Sequence, residues 1–94
     1  MAIKFSPEIV QYLPAYLGIS IQRFVKVSNF KYSKMYLYNV IQGHAVLNAQ
    51  LNEELNLAWD KLGLEFEDLD NIYQMSLLVN EGNSKLQKYE KGDK

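Results

Sequence analysis

Few residues in this chain are equipped for chemistry, and their spacing limits what they can do. One histidine, His44, stands alone and there is no cysteine, so neither a nucleophile–base pair nor a nitrogen- and sulfur-ligated metal can be assembled. His44 reads as a loop residue or a phosphate contact rather than a catalytic base. The carboxylates from Glu53 to Asp70 are numerous enough for acid–base work. They fall on outward helix faces and near a helix start, however, which is the usual setting of a solvated surface. No segment offers the one-three-five oxygen spacing of a calcium loop. The five glycines are scattered singly, each near an expected helix end, so no phosphate-cradling loop is present. A binding protein without cofactor or metal is expected, not an enzyme.

Charge distribution says more than the net value of −1. Residues 1–50 carry Lys4, Arg23, Lys26, Lys31 and Lys34 against Glu8 alone, whereas residues 51–94 carry five lysines against ten carboxylates. A basic half joined to an acidic half permits an anionic partner without a globally basic protein, and chance clustering of solvated charge is the competing explanation. Ninety-four residues with 48% apolar content suit one domain with one core. The lack of cysteine favours a reducing cytoplasm over secretion. Charge and proline interrupt the segment Met1 to Pro7 before a signal sequence could form, and no apolar run approaches the roughly 20 residues of a membrane span. A cytoplasmic protein with no membrane partner is expected.

Helices must position whatever binds. Ser6-Pro7-Glu8 is a favourable start, since serine caps, proline at the first position loses no needed bond, and glutamate suits the positive end of the dipole. Ile9, Val10, Leu13 and Leu17 continue a helical stripe that Pro14 interrupts, leaving one kinked helix or two short ones. Ser20 caps a helix with Ile21, Phe24 and Val25 inward, and Ser28 to Tyr32 forms a turn. Ser33 then caps a helix over 34–42 with Leu37, Val40 and Ile41 inward and Gly43 as its stop. Asn48 opens the clearest helix, in which Leu47, Leu51, Leu55, Ala58, Trp59 and Leu62 share one face and Gly63 ends it. A fifth begins near Glu65, with Phe66, Leu69, Ile72, Tyr73 and Ser76 to Val79 inward, and is expected to break at Asn80 to Ser84. Strand signals are poor. The expectation is therefore an all-α, compact five-helix domain over residues 1–80, followed by a flexible polar tail over 81–94.

Certain of these residues carry a family resemblance. Gly18-Ile19-Ser20 followed by Phe24-Val25 resembles the second-helix signature of the phage-repressor family of helix-turn-helix proteins (Cro-like, xenobiotic-response-element type). Ser33, Leu37, Val40 and Gly43 resemble the start, two core positions and stop of that family's recognition helix. Leu62-Gly63-Leu64 and Phe66-Glu67-Asp68-Leu69 resemble its junction between helices four and five. The resemblance spans about residues 8–70. It departs from the pattern at a longer turn from Ser28 to Tyr32, without the usual glycine, and at Pro14.

The resemblance implies a lambda-repressor-like fold and a sequence-specific transcriptional regulator of phage or mobile-element type that binds double-stranded DNA as a homodimer. Ser33, Lys34, Met35, Tyr38 and Asn39 would then face the bases, with Lys34 donating to guanine, Asn39 pairing with adenine and Met35 pressing on a thymine methyl. Gln22, Arg23, Lys26, Lys31, Gln42 and His44 would contact phosphates. Tyr73, Met75, Leu77 and Leu78 would form the dimer interface. Met35 and Tyr38 equally suit a core or an interface. Tyr32, Tyr36 and Tyr38 suit base stacking, packing or a protein surface. The rival reading is a small helical protein-binding module (an antitoxin, an immunity protein or a phage-encoded inhibitor) that works through its acidic residues from Glu53 to Asp70.

Overall fold

Four residues chosen for their side-chain oxygen decide where the first four helices begin. In the computed structural model, which describes residues 2–92 with side chains through Val79, the Ile9 N–H donates to Ser6 Oγ at 3.3 Å and opens α1, Pro7–Tyr16. The Arg23 N–H donates to Ser20 Oγ at 3.1 Å and opens α2, Ile21–Val27. Ser33 Oγ accepts from the Tyr36 N–H at 3.2 Å at the head of α3, Lys34–Ile41. Asn48 Oδ1 accepts from the Leu51 N–H at 2.8 Å at the head of α4, Ala49–Lys61. Each such cap satisfies an amide that the helix itself leaves orphaned. The fifth helix, α5 (Phe66–Gly92), starts differently: the Glu65 N–H donates to Asp68 Oδ2 at 2.8 Å, a carboxylate reaching back over the first turn.

The same four helices end alike. After α1 the Ile19 N–H reaches back to the Pro14 carbonyl at 3.0 Å, with Gly18 at φ +73° between them. Gly43 and Gly63 take the corresponding left-handed place after α3 and α4, at φ +82° and +71°. After α2 the place falls to Asn29, at φ +53°, and the Phe30 N–H closes on the Val25 carbonyl at 3.0 Å. Asparagine tolerates this conformation better than other residues with a Cβ, so the missing glycine is replaced rather than absent. Pro14 lies inside α1 and is buried, which resolves the alternatives in favour of one helix. Its missing N–H leaves one hydrogen bond of the helix unmade.

The core gathers around α4. Leu51, Leu55 and Trp59 are fully buried there, together with Phe24 from α2, Leu37 and Val40 from α3, Val10 and Leu13 from α1 and Ile72 from α5. Helix α1 touches α3 and α5, and α2 touches α3. No strand is present among the described residues. The Trp59 indole N–H is buried without an acceptor among them, which costs about 1–3 kcal/mol.

Ile3 and Phe5, buried to 5% and 4% exposure, complete the core from an extended segment. Two asparagines one turn apart on α4 hold it. The Ile3 N–H donates to Asn56 Oδ1 and the Phe5 N–H to Asn52 Oδ1, both at 2.8 Å. In return, both Nδ2 groups donate to the Ile3 carbonyl, at 2.9 Å from Asn52 and 2.8 Å from Asn56. A primary amide presents a donor and an acceptor side by side, as a peptide does, so the helix face imitates the edge of a sheet. The Phe5 ring then meets Trp59 edge-on, at 5.9 Å between centroids.

One expectation for α5 is corrected. The backbone stays helical through Asn80 to Ser84 and on to Gly92. Gly82 is the weakest helix former there, at a cost of about 1 kcal/mol, and no proline forces an end. Side chains from Asn80 onward, including those of the polar tail, lie outside the described residues.

Candidate nucleic-acid interface

Helix α3 turns one face to the core and the opposite face to solvent. Leu37 and Val40 are buried, three residues apart, so the residues on the far side of the cylinder are presented outward. Ser33, Lys34, Met35 and Tyr38 are exposed, and Asn39 is half-buried. Met35, at 61% exposure, and Tyr38, at 42%, are therefore not part of the core. Of the five residues expected to face bases, Lys34, Met35 and Tyr38 form an outward strip, with Asn39 half-buried at its edge and Ser33, one turn before the buried Leu37, at the head of the helix. Two of these five are engaged by backbone amides. Ser33 Oγ is engaged as the cap, and the Asn39 carbonyl accepts from the His44 and Ala45 N–H groups at 2.7 and 3.2 Å, which leaves the Asn39 side-chain amide unassigned by that bond.

A chain of rings braces the approach to α3. Phe24 lies 5.8 Å from Phe30, Phe30 5.9 Å from Tyr32, and Tyr32 stacks on Tyr36 at 4.9 Å and 29°. The Tyr36 hydroxyl donates to the Val46 carbonyl at 3.3 Å. Tyr32 and Tyr36 are thus packing residues, and only Tyr38 points away from this ladder into solvent. These rings fix the α2–α3 turn and so the attitude of α3. Ser28, buried beneath the turn, donates from Oγ to the Phe24 carbonyl at 2.7 Å.

The residues expected to contact phosphate, Gln22, Arg23, Lys26, Lys31, Gln42 and His44, are all exposed. Lys34 Nζ donates to Gln22 Oε1 at 3.4 Å, linking the heads of α2 and α3. Lys31 is drawn toward α4 by an ion pair with Glu54 at 3.8 Å, a link across 23 positions that helical periodicity does not reveal. Lys31 is 77% exposed but the Glu54 side chain only 13%, so releasing Lys31 to another anion would leave a mostly buried carboxylate without its partner. The chain contains no carboxylate between Glu8 and Glu53, so α2, the turn and α3 carry cationic charge only.

The expected dimer residues divide. Tyr73, Leu77 and Leu78 are exposed at 50%, 45% and 68%, as are Phe66 and Val79. This corrects the inward placement of Phe66, Tyr73, Leu77, Leu78 and Val79: in the single chain only Ile72 and Ser76 of that set are buried. Met75 is half-buried and, two residues from both Tyr73 and Leu77, sits on the other side of the helix from them. It does not share their face.

The acidic residues are partly engaged within the fold. Asp68 accepts from the Glu65 N–H through Oδ2 and from the Tyr16 hydroxyl through Oδ1 at 2.6 Å, while Asn71 Nδ2 donates to the same hydroxyl at 3.3 Å. The bond between Tyr16 and Asp68 lifts the phenol above the usual tyrosine range and holds the carboxyl below the usual carboxylate range. Among the described residues, no three histidine, aspartate or glutamate side chains cluster to hold a metal, and no helix is long and apolar enough to cross a membrane. Comparison of the chain with protein-family models, curated proteins and solved structures gives no match.

Proposed function

We propose that the protein is a DNA-binding regulator that acts in the cytoplasm as a homodimer, with α3 as the helix that enters the major groove. The observation that carries this reading is the outward strip of α3, where Lys34, Met35 and Tyr38 are exposed beside Asn39, in a stretch of sequence without a carboxylate. A short helix with its apolar residues on the opposite face, held by a preceding short helix, is the geometry that reads base edges. Lys34 donates to guanine, Asn39 pairs with adenine, and Met35 and Tyr38 offer apolar contact to a thymine methyl. Gln22, Arg23, Lys26, Lys31, Gln42 and His44 set the register on phosphates, and their number makes affinity fall with salt.

The test is binding to a site selected from random duplexes, followed by fluorescence anisotropy over a salt series. Lys34→Ala should weaken the selected complex by about 1–3 kcal/mol and relax preference at one base pair. Lys26→Ala should weaken all sequences alike and lower the salt slope by about one. Equal affinity for unrelated duplexes, or no binding at low salt, overturns the reading. The rival, a protein-binding module working through acidic charge, draws on the exposure of Glu53, Glu65, Glu67 and Asp70. Glu54 and Asp68 are already engaged with Lys31 and Tyr16, which narrows that surface.

A further inference from the structure

Beneath the turn between α2 and α3 lies a cavity of about 190 Å³, walled by residues 28–31 on one side and by α4 on the other. The α4 wall is Glu54, Leu57, Ala58 and Lys61, whose spacing of three, one and three makes them one strip of the helix surface. Along that strip an acid is followed by two apolar residues and a base. Leu57 is exposed and Ala58 buried, and Phe30, half-buried, faces them across the cavity. The Glu54 side chain is mostly buried, yet its one partner among the described residues is Lys31 Nζ at 3.8 Å, beyond hydrogen-bond distance. A carboxylate so placed is costly until donors reach it. Lys61 stands exposed at the other end of the strip, two helical turns along.

The cavity thus suits an occupant that carries a cation, an apolar body and an anion within a short span. It has room for about six water molecules, well below the roughly 300–1,000 Å³ of pockets that hold drug-sized ligands. We propose that it binds a free α-amino acid with an apolar side chain, as an effector of DNA binding. The ammonium donates to Glu54, the carboxylate accepts from Lys61, and the side chain packs on Phe30, Leu57 and Ala58. A purely basic ligand is opposed by Lys31 and Lys61, and a purely acidic one by Glu54. The bound ammonium replaces Lys31 as the partner of Glu54. Lys31 is then released to a phosphate without leaving the carboxylate bare. Ligand and DNA therefore favour each other, by the same factor in both directions. This regulation rests on the DNA-binding reading, whereas occupancy of the cavity does not.

Titration calorimetry of the full chain without DNA, against valine, leucine, isoleucine, methionine and phenylalanine, tests occupancy. At least one should bind, and more tightly than either the corresponding amine or the corresponding carboxylic acid. Glu54→Gln should weaken binding by about tenfold or more, because it removes a charge-assisted bond. Lys61→Met should erase the preference for the amino acid over the amine. Retained Trp59 emission shows that each variant still folds. With a selected duplex, the saturating amino acid should raise affinity about fivefold or more, and Lys31→Ala should abolish that rise. No binding at millimolar concentration, or binding unaltered in Glu54→Gln, overturns the proposal. So does a duplex affinity that the bound amino acid leaves unchanged. Amino-acid binding that Glu54→Gln abolishes, in a chain that binds no duplex, refutes the DNA reading and leaves the ligand site standing.

Discussion

Removing the Asn56 amide tests whether the clamp on the extended segment stabilises the domain. Asn56→Ala deletes the bonds from the Ile3 N–H, to the Ile3 carbonyl and to the Asn52 carbonyl, at 2.8, 2.8 and 2.9 Å. At about 1 kcal/mol net for each, the expected loss is about 3 kcal/mol, and about 2 kcal/mol for Asn52→Ala, which deletes two. The domain as a whole is worth about 5–14 kcal/mol by its length, so either change is a large fraction. The bonds also keep Ile3 and Phe5 buried, each worth about 1.5–3 kcal/mol. Once one asparagine has gone the segment is loosened, so the double variant should cost less than the sum of the singles. Urea unfolding followed by Trp59 emission is the assay. Trp59 is the sole tryptophan and touches the Phe5 ring, so detachment should also shift emission in the folded state. Losses below about 0.5 kcal/mol in both single variants, within the range of ordinary surface changes, would refute the argument.

Two further outcomes follow from local geometry. Asn29→Ala should lose about 1 kcal/mol because alanine is strained at φ +53°, whereas Asn29→Gly should be close to neutral, and matched melts that show no difference would remove the left-handed account. The Tyr16–Asp68 pair makes stability depend on pH at both ends. Its lowered carboxyl contributes stability at neutral pH that is lost as pH falls through the Asp68 value, and its raised phenol contributes stability that is lost as pH rises through the Tyr16 value. Tyr16→Phe should remove the Tyr16 contribution to the alkaline limb and part of the acid limb, since the Glu65 N–H still bonds Asp68, and thermal melts across pH check this.

Helix boundaries were legible because they are written locally. Ser6, Ser20, Ser33 and Asn48 each cap the helix their position suggests, and Gly18, Gly43 and Gly63 each end one. The outward strip of α3 was legible for the same reason, since Leu37 and Val40 fix its opposite face. What escaped depends on distant partners or on absent ones. Asn52 and Asn56 on a helix read as solvated polar residues, and only the extended segment some fifty positions earlier gives them their role. The Lys31–Glu54 pair is non-local in the same way. On α5 the apolar residues outnumber what one core face can cover, so periodicity could not say which of them, Ile72 or Tyr73, turns inward.

The asparagine clamp also imposes an order on assembly. Ile3 and Asn56 are 53 positions apart, and Phe5 and Asn52 are 47 apart. At about 5–20 residues per second of synthesis, Ile3 leaves the ribosome about 3–10 seconds before its receptor exists. During that interval two large apolar side chains travel unshielded, and α1 to α3 can form while they wait. The segment made early is therefore locked into the core only after α4 has been made.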